Sequence, residues 1–300
     1  MIKEYSTTEF KEKYTDKSVD KANLFHPGYE DFFCLRIEDI SAYATIPVPP
    51  SKEKSHSIIY ITNGTYTFKK GNKTYHINAN EFIVVPAGEV FSIDAIADNL
   101  KGFTVHFSPT YFIDSVSVIS VLSNFEFLLP FTNSHFISIT DKALVLNIFE
   151  RLSTLYIESV ETNTALITTY ILALLYELKK EYVHLKPHNS TAYEALSHQF
   201  KQALFQNLKK LHRTSEYASL LKISPNHLNK VLKATTNKSP KQWVNETLIL
   251  EAKYLLHQTN LNINEIAHEL GFDDPSYFTR LFRKIENVTP TGYKNMIEKS

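Results

Sequence analysis

Residues 264–293 read NEIAHELGFDDPSYFTRLFRKIENVTPTGY. This stretch predicts a short helix over Asn264 to Leu270, a tight turn at Gly271-Phe272, and a second helix over DPSYFTRLFRKIEN. Gly271 supplies the left-handed cap that lets the chain reverse abruptly. In the second helix Phe278, Leu281 and Phe282 fall on one apolar stripe, so Ser276, Tyr277, Arg280 and Lys284 are displayed outward. The same plan occurs upstream, where Ser215 to Leu221 leads through Lys222-Ile223 into SPNHLNKVLKATT. There Leu228, Val231 and Leu232 form the buried stripe, and Asn226, Asn229, Lys230 and Lys233 are displayed.

The displayed sets suit a nucleic-acid groove. Asn pairs bidentately with adenine, Arg with guanine, and Lys meets phosphates. The alternative is bland, because a polar outer face on a helical hairpin is usually just a solvated face. Spacing favours the groove. The two outward-facing helices begin about 50 residues apart, and the segment between them, Pro240 to His257, predicts one helix of about 27 Å at 1.5 Å per residue. Successive major-groove faces on one side of B-DNA lie about 34 Å apart. A rigid helix of that length could hold both outward-facing helices in adjacent groove segments. Charge agrees with this: residues 190–300 carry 15 Lys and Arg against 10 Asp and Glu, whereas residues 1–189 carry 17 against 22. Three helix starts use Ser or Thr followed by proline, at Ser224-Pro225, Ser239-Pro240 and Thr289-Pro290.

Residues 195–297 resemble the DNA-binding domain of AraC/XylS-type transcription regulators. The signature falls on Ile266-Ala267, Gly271-Phe272, Tyr277-Phe278, Arg280, Phe282, Lys284, Thr289-Pro290 and Tyr293. The resemblance implies seven helices and two helix-turn-helix units joined by a linking helix. It also implies base-facing positions at Asn226, Asn229 and Lys230 in the first unit and at Pro275, Ser276 and Arg280 in the second. The helix starts at Ser224 and Ser239, with Lys241 nearby, would then grip phosphates. Two positions depart from the family pattern. Asn287 stands where glycine is common, and Asn accepts the left-handed conformation better than other residues with a Cβ. Leu248 stands where many members have arginine on the linking helix, which removes any polar contact made there.

Upstream, from about Phe32 to Ser108, apolar and polar residues alternate between turn signals at Asn63-Gly64 and Gly71-Asn72. This predicts short antiparallel strands joined by hairpins, with a type I′ turn at Asn63-Gly64. Two amphipathic helices follow, at Asp141 to Glu158 and Thr164 to Tyr182. On the second, Leu166, Tyr170, Leu174 and Leu178 form a stripe widened by Ile167, Ile171 and Leu175. That stripe either packs on its own barrel or serves a dimer interface. Over residues 25–183 these strands and helices resemble the cupin-like sensor domain of the same family, through His56, the Gly64 hairpin and Asn80-Glu81 to Gly88. The resemblance implies a small-molecule effector in the barrel, a homodimer and a contact with RNA polymerase.

Enzyme chemistry finds little support. His56 is followed by Ser57, no His-x-His pair occurs in the strands, and His56, His76 and His106 sit on separate strands. No metalloprotease helix, nucleophile elbow or phosphate-binding glycine loop is present among only 7 glycines. A lone Cys34 rules out an intramolecular disulfide. The start lacks the apolar core of a signal peptide, and the apolar run Ala165 to Leu178 is too short to span a bilayer.

The expected chain is therefore α+β: an antiparallel, cupin-like β-barrel with helices over residues 1–183, a linker over 184–192, and an all-α domain with two helix-turn-helix units over 193–300. The expected function is a cytoplasmic, homodimeric regulator, an activator that binds promoter DNA. No catalysis, cofactor, metal or membrane is expected. The aromatic residues Tyr60, Tyr66, Phe68, Phe82 and Phe91 pack a core or line a cavity, and the effector-binding residues stay unassigned. The competing reading is a cupin-type enzyme or small-molecule-binding protein whose helical tail mediates assembly.

Overall fold

A computed structural model of the chain describes residues 3–16, 25–70, 73–112, 118–128, 136–184 and 191–297. Two compact units emerge, one from Met1–Tyr111 with Phe125–His188, the other from Phe112–Asn124 with Asn189–Ser300.

The strands of the first unit are β1 (Glu4–Tyr5), β2 (Phe32–Arg36), β3 (Val48–Glu53), β4 (His56–Asn63), β5 (Tyr66–Lys70), β6 (Lys73–Ile77), β7 (Glu81–Val85), β8 (Phe91–Ile96), β9 (Lys101–Phe107) and β10 (Phe136–Ser138). They form two five-stranded sheets, ordered β1-β3-β8-β5-β6 and β10-β7-β4-β9-β2. The expected barrel is thus not closed, because among the described residues no strand pair links one sheet to the other.

Hairpins are also rarer than the alternation suggested. β5 and β6 do pair, with Lys70 opposite Lys73, although Gly71 and Asn72 lie outside the described residues. β4, however, pairs with β7 and β9, while β5 belongs to the other sheet. Asn63-Gly64 is therefore a crossing between sheets, and of the two only Gly64 has a positive φ, 81°. A type I′ turn needs positive φ at both. Alternation reveals which face of a strand is buried, not which strand lies beside it.

Helices α1 (Thr7–Tyr14) and α2 (Ile37–Ser41) flank the strands, and α3 (Val118–Asn124) belongs to the second unit. The expected helix pair is present as α4 (Lys142–Glu158) and α5 (Val160–His184), with the Asp141 carboxylate accepting from the Leu144 N–H at 3.1 Å to cap α4. α4 covers the sheet containing β4, β7 and β9. The rings of Tyr60, Phe82 and Phe103 stack on Phe149 with centroids 5.5, 5.6 and 5.5 Å away.

The α5 stripe needs a correction. Leu174 and Leu178 are fully buried in this unit together with Ile167, Ile171 and Leu175, while Leu166 stays 40% exposed and Tyr170 half-buried. A 25-residue helix packed on α4 and β10 uses the breadth of that stripe for its own core.

The second unit contains seven further helices: α6 (Ala192–Asn207), α7 (Thr214–Leu220), α8 (Pro225–Thr236), α9 (Pro240–Gln258), α10 (Ile263–Glu269), α11 (Pro275–Glu286) and α12 (Pro290–Ile297). α3 packs on α6 and α9. Residues from α6 through α11 share one apolar core, in which Leu228 and Leu232 of α8, Leu248 of α9 and Phe278 and Phe282 of α11 are fully buried. Leu248 is thus a core residue.

Candidate nucleic-acid interface and cavity

Each helical hairpin of the second unit is closed by the same backbone device. After α7 the Ile223 N–H donates to Ala218 O and the Lys222 N–H to Ser219 O, both at 3.0 Å. After α10 the Phe272 N–H donates to Ala267 O and the Gly271 N–H to His268 O, both at 2.9 Å. This double bond pattern demands a left-handed residue just past the helix. Gly271 takes φ 82° there and Lys222 takes 56°. The correspondence extends onward: Asn237 and Asn287 end α8 and α11 at φ 56° and 62°. Asn287, the departure from the family glycine, thus occupies the conformation that glycine would supply.

The turns aim α8 and α11 outward. Ser224 caps α8 by accepting from the His227 N–H at 3.1 Å, and Asp274 caps α11 by accepting from the Ser276 N–H at 2.8 Å. Hydrogen bonding to Ser276 and, secondarily, the charge of Arg280 hold the Asp274 carboxyl below its ordinary range. Arg280 lies 3.6 Å from that carboxylate with its side chain 68% exposed.

α9 ties the hairpins together. It runs 19 residues, about 28 Å, starting from the reciprocal cap of Ser239 and Gln242. Near its start Trp243 Nε1 donates to Thr236 Oγ1 of α8 at 2.9 Å. Ten residues on, Lys253 pairs with Glu286 of α11 at 3.1 Å.

On the displayed faces Asn226, Lys230 and Lys233 of α8 and Ser276, Tyr277, Arg280 and Lys284 of α11 are exposed. Asn229 and Pro275 are half-buried, and the Asn229 amide donates to Pro225 O at 3.2 Å. Ser224 and Lys241 are exposed and Ser239 half-buried. Ion pairing separates some lysines of this unit from those on the displayed faces. Lys209, Lys238 and Lys253 are paired with Glu269, Glu246 and Glu286. Lys230, Lys233, Lys241 and Lys284 make no ion pair with a described residue. Unneutralised cations beside outward amides and hydroxyls are the footprint expected of a polyanion site.

The first unit encloses a cavity of about 210 Å³. Its walls are mostly apolar, with Phe10 and Tyr14 from α1, Phe33 from β2, Phe68 from β5 and Phe91 from β8. A polar corner made by Glu53, His106, Thr7 and Ser57 interrupts them, and Lys11, Thr15, Ser41 and Thr104 also line the cavity. Ser57 Oγ lies 2.8 Å from His106 Nδ1, Thr7 Oγ1 lies 3.3 Å from Nε2, and Phe33 stacks on the imidazole at 4.7 Å. Glu53 approaches His106 Nε2 at 3.7 Å. Burial raises the Glu53 carboxyl to about 8 and lowers His106 to about 3, with His56 adding to the latter. Both groups are neutral at pH 7, so the contact is not an ion pair.

The known proteins speak to both units. A model described as the AraC-like ligand binding domain matches residues 41–175, and one described as a helix-turn-helix domain matches residues 217–296. The chain belongs to the AraC family of transcription regulators. It combines an N-terminal ligand-binding domain with a helix-turn-helix DNA-binding domain. It is 25% identical over 251 residues to the lactose operon transcription activator of Staphylococcus xylosus, covering 80% of this chain and 84% of that protein. It is 24% identical over 249 residues to the raffinose operon transcriptional regulatory protein RafR of Pediococcus pentosaceus, covering 81% and 86%. Among solved structures, ToxT from Vibrio cholerae aligns over 89% of this chain and 98% of its own at 16% identity and a TM-score of 0.35.

Within this AraC-family chain the aromatics divide cleanly. Tyr66, Phe68 and Phe91 line the cavity, whereas Tyr60 and Phe82 pack on α4. His56 and His106 are buried near one another, but His76 is exposed and sits 3.2 Å from Thr67 Oγ1. Among the described residues no group of three or more His, Cys, Asp and Glu is arranged to hold a metal ion. Glu53 was missed from sequence because Lys52-Glu53-Lys54 reads as a solvated turn. The signal was the period of two: Ser51, Glu53 and Ser55 are buried, while Lys54 between them is exposed.

Proposed function

We propose that this regulator is a cytoplasmic, homodimeric activator that reads promoter DNA with Asn226, Asn229 and Lys230 of α8 and Pro275, Ser276 and Arg280 of α11. Lys233, Tyr277 and Lys284 flank those positions, and Ser224, Ser239 and Lys241 meet phosphates. The observation that carries this reading is the set of exposed cations Lys230, Lys233, Lys241 and Lys284, which make no ion pair with a described residue and sit beside the outward amides and hydroxyls of α8 and α11. One core shared by both hairpins and α9 supports their acting as a single rigid reader. An effector in the N-terminal cavity biases the arrangement in which two copies engage DNA, acting only through a difference in its affinity for the two arrangements. Copies pair along α5 around Leu166 and Tyr170, and the bound regulator contacts RNA polymerase. The chain carries out no catalysis.

The test is a gel shift of the purified full-length protein on genomic fragments, with the captured fragments sequenced. A salt-sensitive, sequence-selective shift is expected, and binding indifferent to sequence would refute the reading. Metal analysis addresses the enzyme alternative: a stoichiometric metal would reinstate it.

A further inference from the structure

The cavity has one acidic group among its lining residues, and no described side chain donates to it. The Glu53 side chain is only 10% exposed, and its carboxyl accepts no hydrogen bond from a described residue. The adjacent imidazole is already engaged on both nitrogens by Ser57 and Thr7. A buried carboxyl without donors is costly when charged, and burial raises Glu53 to about 8, favouring its protonated form. A cation delivered into the cavity would remove the cost by a different route. A sugar fits this chemistry poorly. Each buried hydroxyl needs a partner, and beyond the corner at Glu53 the walls are mostly hydrocarbon and aromatic rings, with Lys11, Thr15, Ser41 and Thr104 the other polar residues.

We propose that the cavity binds a small amine with an apolar, aromatic body, its ammonium group set against the Glu53 carboxylate and its ring among Phe10, Tyr14, Phe33, Phe68 and Phe91. The proposal rests on the reading of this unit as the ligand-binding part of a regulator. Binding exchanges charges in balance: the ammonium enters with its proton, Glu53 ionises, and the Glu53 proton passes to buffer. The other titratable groups facing the cavity are His106, Lys11, Tyr14 and Tyr66. His106 is held neutral by burial, and Tyr66 is raised by burial and by Glu53 itself. Burial raises Glu53 to about 8, so an ammonium set against it would draw off its proton at pH 7.

Isothermal titration of the full-length protein with 2-phenylethylamine, 2-phenylethanol, 3-phenylpropionate and lactose tests this. The amine is expected to bind one per chain and at least about tenfold tighter than the alcohol or the acid. At pH 7, titrations in buffers of different ionisation enthalpy should report release of about 0.9 proton per amine, the protonated fraction of a group with its pKa near 8. Glu53→Gln should abolish both the preference and the proton release. The amine-against-alcohol comparison on the unaltered protein holds even if that variant folds poorly. Tighter binding of lactose or of the acid, an amine preference that survives Glu53→Gln, or no binding by the amine would overturn the proposal. Each of those outcomes leaves the DNA-binding test untouched, and a failed DNA test leaves these titrations untouched.

Discussion

In the proposed reading the Arg280 guanidinium of α11 forks onto a guanine edge, and Asp274 at 3.6 Å biases it toward the start of the helix. Arg280→Ala should cost about 1–3 kcal/mol on the best site and relax preference at one base pair, read by competition gel shifts. Lys241→Ala should instead weaken binding to every sequence and lower the salt slope by about one. At the same scale the two turns invite opposite substitutions. A Cβ on Gly271 would come within 2.1 Å of Lys209 O, so Gly271→Ala should destabilise the second unit by about 1–3 kcal/mol in urea unfolding. Lys222 holds the equivalent left-handed conformation with a Cβ in place, so Lys222→Gly should raise stability by about 1 kcal/mol. Gly271 announced its left-handed cap in the sequence, whereas Lys222, though read as part of a turn, gave no sign of that conformation, since only the backbone context forces a lysine into it. Glu53 was hidden for a related reason, because two flanking lysines disguise a side chain that points inward.

Among the elements, helices were more legible than strand partnerships. α8 and α11 followed from their stripes because helical periodicity is local, and caps at Ser224 and Ser239 marked where α8 and α9 begin. Sheet order is non-local, so Asn63-Gly64 looked like a hairpin while β4 and β5 lie in different sheets. α5 shows the limit within a single helix. Its stripe was read correctly as apolar, but period alone does not say whether a helix is covered by its own domain or by a second copy. The burial of Leu174 and Leu178 leaves Leu166 as the residue on which pairing would turn. Leu166→Glu should therefore shift the protein toward monomer in sedimentation equilibrium while leaving its thermal midpoint within about 2 °C, because surface substitutions change stability little. An unchanged dimer would place the interface elsewhere.

Across the molecule, the buried groups of the first unit set its response to pH. The Glu53 pKa is raised from its ordinary value to about 8, so its contribution to stability is full below the unfolded value near 4.5 and is lost as pH rises through 8. Burial lowers His56 and His106 to about 3, so the folded state must keep them neutral, and stability is lost as pH falls from 6.5 toward 3. The two slopes oppose one another, and the midpoint of this unit in calorimetry should peak near pH 6.5. Glu53→Gln should remove the alkaline decline and leave the acid one. A decline above pH 7 that persists in the variant would show that another group is responsible.

The order in which the chain visits its two units has a consequence for genetics. Phe112–Asn124, encoded between β9 and α4, is part of the DNA-reading unit, where α3 packs on α6 and α9. The coding region for that unit is thus split. A chimera that grafts residues 189–300 onto a foreign sensor leaves α3 behind with the donor gene and strips a layer from α6 and α9. A fusion library built on this regulator should carry the small upstream exon-like piece along with the large downstream one.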